Sequence, residues 1–314
     1  MIFTVTLNPA IDKILFLEEF QPSRTNRLTR TLETLGGKGT HVFVDLRLQG
    51  IACTALGIAL GQTGKAIIRM LEEGGGAVDF LHYDLPGLES RTNYELVQSR
   101  GHVCTMLAER GPQLPRGLTD ELLEQVQRLI GPGDMLVLSG DAGNVDDTSL
   151  YGRMISAANE RGGRVFVDAS GATLQGAVQA GPFLIKPNLE ELMQLTGRTL
   201  NIQADILAAM RALDAYRLPM IAMTWGRQGA IVKDGQDYYR VNPPETAVVN
   251  EGGCGDAFLS GILAGIERGC NMIETLRTAA AVAASAAECE LTVGFDPRRA
   301  DALKEHTTVA LLAA

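Results

Sequence analysis

A glycine-rich turn followed directly by an acidic residue and an apolar helix carries the strongest chemical signal in this sequence. Gly253 and Gly255 flank Cys254, and Asp256 comes next, in a helix predicted to run from residue 254 to about 268. Glycines let several backbone amides point the same way, and the helix adds its positive end, so the turn predicts an anion-binding site. A carboxylate there could take the proton from an attacking hydroxyl while the amides stabilise charge on a transferred phosphoryl group. The alternative is an ordinary acidic residue in a first helical turn.

A second glycine turn precedes another predicted helix. Gly37 and Lys38 lie in the run Gly-Gly-Lys-Gly of residues 36–39, whose amides could bind a sugar hydroxyl or a phosphate while the lysine supplies charge. Asp12 follows the first predicted strand and could accept hydrogen bonds from vicinal hydroxyls. Structural turns are the alternative for both segments.

Polar residues also follow two predicted strands in the second half of the chain. Asn188 and Glu191 come after the apolar run 183–185, on one side of the next helix, and such a pair can hold a hydrated Mg²⁺. The same spacing recurs at residues 271–274, so only its position after a buried strand distinguishes the first copy. The turn 224–229 after the run 220–223 could let a nucleotide approach the backbone, or could be structural only.

Composition and charge exclude several classes of protein. The chain has 314 residues, 46% of them hydrophobic and 21% charged, enough to bury a large core. A net charge of −9 argues against nucleic acid or an anionic membrane as a main partner, because either requires a basic face. A phosphate-bearing substrate then needs a local basic cluster, which Arg24, Arg27, Arg30 and Lys38 supply.

Missing motifs narrow the choice further. The five cysteines are odd in number and lack C-x-x-C spacing, and no secretory leader or run of 18 apolar residues occurs, so we expect a cytoplasmic protein. The sequence contains neither G-x-x-x-x-G-K-[ST] nor G-x-G-x-x-G, which argues against a Walker-type NTPase and a Rossmann dehydrogenase. It also lacks the G-x-S-x-G of α/β-hydrolases.

The elements that must position these residues alternate along the chain. Apolar runs at 2–7, 53–56, 135–138, 164–167, 183–185 and 220–223 predict strands, and amphipathic segments between them predict helices, so we expect one α/β domain over residues 1–314 with a mainly parallel sheet. Polar and apolar residues alternate instead at 13–17, 27–35, 92–97 and 103–108, which predicts a small, half-exposed second sheet. A late hairpin is expected around residues 231–241.

Seven short motifs, each weak alone, occur together in a diagnostic order: residues 6–12, 26–27, 36–39, 90–93, 138–140, 186–188 and 253–256. As a set they resemble the ribokinase-like (PfkB) sugar kinases, in particular the 1-phosphofructokinase and tagatose-6-phosphate kinase branch. The resemblance implies a doubly wound α/β fold with a β-sheet lid that commonly forms a homodimer. It also implies transfer of the ATP γ-phosphoryl group, with Mg²⁺, to a hydroxyl of a ketohexose phosphate of the tagatose 6-phosphate or fructose 1-phosphate type.

The resemblance also assigns roles position by position. Asp256 is similar to the catalytic base, and Gly253, Cys254 and Gly255 to the anion hole. Substrate-binding positions are Asp12, Arg27, Gly37, Lys38, His41, Arg91 and Ser139, of which the two arginines are candidates for the substrate's own phosphate. Positions for ATP are Lys186, Asn188, Glu191, Thr224, Gly226 and Gly229, with Glu191 and Asn188 expected to hold the metal through water.

Three departures from the family pattern leave alternatives open. His41 stands where the family has Asn, Asp141 follows Ser139-Gly140 where a Ser-Leu-Pro is usual, and Glu251 precedes the anion hole where a Thr is usual. The chain could therefore phosphorylate an unphosphorylated sugar or a nucleoside, or could bind ligands with feeble catalysis. The kinase prediction requires that Asp256 lie beside the amides and face the pocket of Asp12; burial of Asp256 in an ion pair, or separate clefts for the two acids, would contradict it.

Overall fold

Fourteen strands and ten α-helices alternate along the residues described by the computed structural model, which are 1–140, 142, 144–145 and 147–312. The strands are β1 (Ile2–Thr6), β2 (Ala10–Leu17), β3 (Arg30–Gly36), β4 (Cys53–Leu60), β5 (Ala77–Tyr83), β6 (Arg91–Gln98), β7 (Val103–Leu107), β8 (Met135–Ser139), β9 (Arg164–Asp168), β10 (Leu184–Ile185), β11 (Met220–Thr224), β12 (Ala230–Asp234), β13 (Asp237–Asn242) and β14 (Thr308–Leu312). The helices are α1 (Lys38–Leu48), α2 (Gly61–Glu73), α3 (Arg116–Leu129), α4 (Leu150–Glu160), α5 (Gly171–Gln179), α6 (Leu189–Thr196), α7 (Gln203–Ala212), α8 (Cys254–Glu267), α9 (Met272–Ala287) and α10 (Pro297–Lys304).

The large sheet has ten strands in the order β14-β13-β12-β11-β10-β9-β8-β1-β4-β5. The strands from β11 to β5 pair in parallel, and β12, β13 and β14 add an antiparallel edge. Chain order reverses between β1 and β8, and crevices at such reversals are where open α/β sheets bind ligands. The predicted α/β fold with a mainly parallel sheet is confirmed.

Helices cover both faces of this sheet because its central strands are apolar on both sides. Phe3 and Val5 of β1 pack with residues of α3 to α7, whereas Ile2 of the same strand packs with residues of α1, α2, α8 and α9. Successive side chains of a strand point to opposite faces, so a continuous apolar run requires a helical layer on each. This double layer fixes the helix N-termini above the carboxyl ends of the parallel strands.

A separate four-stranded sheet has the order β3-β2-β6-β7, which we call the small sheet. Its strands cover the four segments with alternating polarity, but β3 begins at Arg30, three residues later than predicted, so Arg27 lies in the preceding loop. Pairing of β2 with β3 is antiparallel and pairing of β2 with β6 is parallel. Since β2 follows β1 after three residues, the small sheet begins next to the carboxyl end of the large one.

Some elements went unrecognised in the sequence. The edge strands β5 and β14 lie on opposite borders of the large sheet. Asp79 and His82 interrupt the apolar residues of β5, whereas the apolar run 309–312 of β14 was not recognised as a strand. The hairpin of β12 and β13 forms as expected and continues the large sheet. Asp141, one of the departures from the family pattern, lies outside the described residues. Within the described ranges, no helix has the length and apolar character needed to span a membrane.

Candidate active site

The predicted anion-binding turn forms the start of α8. Gly253 is the N-cap with a φ of 76°, and a Cβ there would lie 1.9 Å from the carbonyl oxygen of Thr292, so only glycine fits. The amides of the first helical turn have no acceptors within the helix, and they are available to an anion. Asp256 belongs to this turn, and the helix is buried from Asp256 to Gly265. Burial of the apolar residues of α8 therefore holds the polar N-terminus of this helix in place.

Two lysines from different elements meet at one buried carboxylate near this turn. Lys38 Nζ lies 3.0 Å from Oδ1 of Asp168, and Lys186 Nζ lies 3.0 Å from Oδ2. Burial opposes ionisation of Asp168, but the charges of Lys186 and Lys38 outweigh it and lower the pKa of this carboxyl. The charge of Asp168 in turn raises the pKa of Lys38. Asp168 thus fixes both lysine side chains at the carboxyl end of the sheet.

A cavity of about 760 Å³ joins the lysine cluster to the anion turn. Its lining includes eleven of the residues predicted from the sequence: Lys38, Lys186, Asn188, Glu191, Thr224, Gly226, Gly229, Gly253, Cys254, Gly255 and Asp256. One wall is apolar, built from Val241, Pro243, Pro244 and alanines of α9. The volume suits a small-molecule ligand, and the lining offers it an apolar side and a cationic end.

The other predicted substrate residues do not line this cavity. Asp12 is buried on β2, where Oδ1 accepts a hydrogen bond from Asn93 Nδ2 (2.7 Å) and Oδ2 accepts one from Thr292 Oγ1 (3.2 Å). The buried hydroxyl of Ser139 ends β8 at the reversal of strand order, and within the described residues it has no hydrogen-bond partner. An unsatisfied buried hydroxyl at such a position is suited to a polar ligand.

The remaining candidates lie around the small sheet. Arg91 is partly buried and donates to the carbonyl oxygens of Asn8 (3.2 Å) and Glu109 (3.2 Å). Arg27 is exposed in the loop before β3. Gly37, with a φ of 104°, is the N-cap of α1. The structure thus separates the predicted residues into a group around the cavity and a group at the small sheet and the end of β8. Of the two acids Asp12 and Asp256, only Asp256 lines the cavity. Thr292 nevertheless connects the two groups, because its hydroxyl donates to Asp12 and its carbonyl oxygen adjoins Gly253 at the start of α8.

Asp256 lies in a buried contact with His41. His41 Nδ1 is 2.8 Å from Asp256 Oδ2, and the two side chains are 8% and 7% exposed. Burial of Asp256 in an ion pair is the arrangement expected to contradict a catalytic role. The contact occupies one oxygen only: Asp256 still lines the cavity, and no hydrogen bond to Oδ1 occurs among the described residues. The carboxylate therefore keeps one oxygen available to a ligand.

Asn188 and Glu191 form the capping box of α6. The Asn188 side chain accepts from the Glu191 amide (2.8 Å), and Glu191 Oε2 accepts from the Asn188 amide (2.8 Å). Their spacing is thus explained in part by helix capping, the ordinary use of such a pair. Oε1 of Glu191 stays outside the capping box, on a residue that lines the cavity.

Glu251, a departure from the family pattern, also lines the cavity at its rim. The Glu251 side chain is 71% exposed, and its Oε1 lies 3.4 Å from Arg227 Nε. A pair this exposed is screened by solvent and adds little to stability, but the charge of Glu251 contributes, after burial, to the raised pKa of the Cys254 thiol in the cavity lining.

Sequence reasoning missed Asp168, Asn93 and Thr292. Asp168 directly follows the predicted strand 164–167, the same signal that singled out Lys186, and could have been found in that way. Asn93 stands in a motif that was recognised, but its contact with Asp12 depends on the pairing of β6 with β2. Thr292 lies 280 residues from Asp12, and no local pattern indicates that they meet.

Comparison with known proteins decides the family. Residues 5–298 match the model of the pfkB family carbohydrate kinases. The chain belongs to this family. It is 32% identical over 302 residues to the 1-phosphofructokinase of Xanthomonas campestris pv. campestris, covering 94% of this chain and 92% of that protein. The carbohydrate kinase predicted from the sequence, with ATP as its phosphoryl donor, is therefore confirmed.

Solved structures of pfkB-type kinases have the same architecture. Phosphofructokinase-2 from Escherichia coli in complex with substrates and products superposes with a TM-score of 0.90 at 25% identity, over 97% of this chain and 98% of that one. The same enzyme in complex with fructose-6-phosphate gives a TM-score of 0.88 at 25% identity with the same coverage. The ribokinase-like doubly wound fold with a small second sheet is thereby confirmed.

Proposed function

We propose that this kinase transfers the γ-phosphoryl group of ATP to a hydroxyl of a ketohexose phosphate of the fructose 1-phosphate or tagatose 6-phosphate type. The observation that carries the proposal is the placement of Asp256 in the first turn of α8, on the same cavity as Lys38 and Lys186. A base, an anion site and two fixed cations are the groups that phosphoryl transfer requires. The 1-phosphofructokinase relative supports a phosphorylated sugar as acceptor.

ATP would occupy the large cavity. Its base would lie against the apolar wall of Pro243, Pro244 and the α9 alanines, and its phosphates would extend toward the lysines. Thr224, Gly226 and Gly229 border the path between these ends. Gly229 has a φ of 84°, and a Cβ there would lie 2.1 Å from the carbonyl oxygen of Val241, so this turn admits only glycine. A backbone turn without side chains is suited to a closely approaching nucleotide.

The transfer step uses one oxygen of Asp256. The acceptor hydroxyl gives its proton to Oδ1 as its oxygen bonds to the γ-phosphorus, and the bond from that phosphorus to the ADP oxygen breaks. Amides of Cys254 and Gly255 stabilise the transferring group from the helix side. Lys38 and Lys186, held by Asp168, supply positive charge for the phosphate oxygens.

Magnesium would be held mainly by Glu191. Among the described residues, three or more His, Cys, Asp or Glu side chains are nowhere grouped to hold a metal. Mg²⁺ keeps several waters and uses one or two carboxylates together with substrate phosphates, so a single carboxylate facing the cavity would be enough to hold it. Glu191 has an oxygen outside its capping box, and Asn188 would contribute through water. When bound, the ion would neutralise phosphate charge.

The acceptor would bind between the two sheets. Asp12 and Ser139 would bind its hydroxyls, assisted by the glycine turn at Gly37, and Arg27 and Arg91 would bind its phosphate. We propose that the small sheet serves as the lid of this site, since it begins next to the carboxyl end of the large sheet and carries Asp12. A cytoplasmic location remains a prediction.

The test is a coupled assay of ADP release with a panel of acceptors. We expect turnover with fructose 1-phosphate or tagatose 6-phosphate, and Asp256→Asn should lower kcat about 100- to 10,000-fold with ATP affinity nearly unchanged. Arg27→Ala and Arg91→Ala should raise KM mainly for the phosphorylated acceptor. Turnover confined to free sugars or nucleosides would favour that alternative, and sugar binding in calorimetry without turnover would favour a non-catalytic relative.

A further inference from the structure

The imidazole of His41 connects the proposed base to the small sheet. Nδ1 lies 2.8 Å from Asp256 Oδ2, and Nε2 lies 3.0 Å from the carbonyl oxygen of Leu35 in β3. His41 is 7% exposed and belongs to α1, so three elements converge on one ring. Both ring nitrogens are within hydrogen-bond distance of oxygens.

The chemistry of these partners restricts the protons on the ring. A backbone carbonyl can only accept, so Nε2 must carry a hydrogen. Nδ1 then has two options: it carries a second hydrogen and donates to an ionised Asp256, or it accepts from a protonated Asp256. In either case one proton lies between the ring and Oδ2. The two options differ in whether Asp256 can act as a base.

The surrounding charges favour the imidazolium. Carboxylates face His41 from β2 (Asp12), from its own helix (Asp45) and from α8 (Asp256). Burial alone would disfavour the charged ring, but the hydrogen bond and charge of Asp256, followed by the charge of Asp12, outweigh it and raise the pKa of His41. Asp45 adds negative charge only above about pH 7, where it ionises. The other titratable groups nearby are Lys38, one turn earlier in α1, and Cys254, whose burial raises the pKa of its thiol to about 12 and keeps it neutral.

We propose that His41 is a positioning residue for Asp256, held as an imidazolium that fixes Oδ2 and leaves Oδ1 to accept the proton of the acceptor hydroxyl. The proposal rests on the proposed function, because it assumes that Asp256 is the base. It gives His41 a role distinct from the sugar contact expected from the sequence, since both of its nitrogens are engaged within the protein. In the family pattern an Asn occupies this position, and an amide can donate a hydrogen bond but carries no charge.

A fixed positive charge beside the base has a measurable consequence. A cation within contact distance favours the ionised carboxylate, so the base stays active to lower pH. His41→Asn keeps a donor but removes the charge. We expect the acidic limb of its kcat profile to move up by about one pH unit or more, with kcat on the alkaline plateau largely retained. His41→Leu removes the donor as well, and should lower kcat about 10- to 100-fold at every pH through misplacement of the carboxylate.

Two controls separate positioning from simple structural support. His82→Asn changes another partly buried histidine, whose Nε2 lies 3.0 Å from the carbonyl oxygen of Gly61, and should leave the pH profile unchanged. Nitrogen-15 NMR of the imidazole in the free enzyme should show both nitrogens of His41 protonated at pH 7.5. Asp256→Asn should convert the ring to the neutral form with hydrogen on Nε2. The NMR result does not depend on activity, so it distinguishes failure of this proposal from failure of the kinase assignment.

The outcomes are decisive in each direction. An upward shift of the acidic limb in His41→Asn, together with the imidazolium signature, supports the proposal. A rise in KM for the sugar with unchanged kcat and pH profile would instead make His41 a substrate contact. An unaltered profile, or a neutral ring in the wild-type enzyme, would overturn the proposal. If His41→Leu does not fold, the profile of His41→Asn and the NMR spectrum decide the matter.

Discussion

At the scale of single residues, charge in the site is organised by buried carboxylates. Asp168 uses each of its oxygens for a different lysine, so one acidic side chain fixes the direction of two cations. Removing it would leave Lys186, which is 4% exposed, without its ion pair. An unpaired buried charge is expensive, so Asp168 makes the basic pocket compatible with a folded protein.

Asp45 gives a prediction for stability as a function of pH. Burial raises the pKa of this carboxyl from 3.8 to about 7, opposed by the charge of His41 and a hydrogen bond from the Gly294 amide. The unfolded chain releases this proton near pH 4, whereas the folded protein retains it to about pH 7. Stability contributed by the protonated form is therefore lost as pH rises through this window, by about 4 kcal/mol.

Asp45→Asn should remove that dependence, because the amide matches the protonated acid and keeps an acceptor for Gly294. Urea unfolding of both proteins at pH 4, 6 and 8 measures the difference in free energy of unfolding. We expect the variant to gain stability relative to the wild type as pH rises. Asp301→Asn, at an exposed position of α10, should show a constant difference. A constant difference for Asp45→Asn as well would contradict the prediction.

At the scale of elements, the N-terminus of α8 depends on an apolar helix and a left-handed turn. The helix is buried along most of its length, and Gly261 and Gly265 allow it to approach α9 closely. The apolar side chains fix the axis of the helix, and Gly253 directs its first amides into the cavity. Local backbone conformation and tertiary packing thus jointly position the proposed anion site.

Gly253→Ala should disturb this arrangement. Its Cβ would meet the Thr292 carbonyl oxygen at 1.9 Å, so the turn must shift and the amides with it. We expect kcat/KM for ATP to fall about 100-fold or more, as when an oxyanion donor is lost. Gly197→Ala is the matched control, since Gly197 also has a positive φ of 66° but its Cβ would meet no atom within 4 Å. Equal kinetic loss in the two variants would show that general strain, and not the anion site, is responsible.

At the scale of the whole molecule, the small sheet presents an apolar surface. Val103, Met106 and Leu107 of the edge strand β7 are 46%, 46% and 52% exposed. An exposed edge strand with apolar side chains is a ready site for pairing with another chain. We propose that a second copy covers it, as in the homodimer expected from the sequence.

Sedimentation equilibrium tests this proposal directly. We expect a dimer at micromolar concentration, and the double variant Met106→Lys, Leu107→Lys should sediment as a folded monomer because charges would be buried at the interface. Ile202→Lys, at a residue 59% exposed outside the small sheet, serves as the control and should remain dimeric. A monomeric wild type, or a double variant that stays dimeric, would disprove dimerisation through this surface.

The sequence by itself determined the class of fold and the position of the anion turn. Alternating apolar runs and amphipathic segments are local signals, and they predicted most parallel strands within a few residues. The edge strand β5 escaped because Asp79 and His82 interrupt its apolar residues, and the apolar run 309–312 of β14 became a strand only through its pairing with β13. Gly253 was informative for the same local reason, since its positive φ is a requirement of the backbone itself.

Tertiary structure alone decided which polar groups meet. His41 and Asp256 are 215 residues apart, and Lys38 and Asp168 are 130 apart, so their contacts depend on how helices and strands pack. The sequence could identify these residues as polar groups near turns or strand ends. It could not show that one carboxylate binds two lysines or that the proposed base shares a proton with an imidazole, because hydrogen bonds and ion pairs require distances that only the folded chain defines.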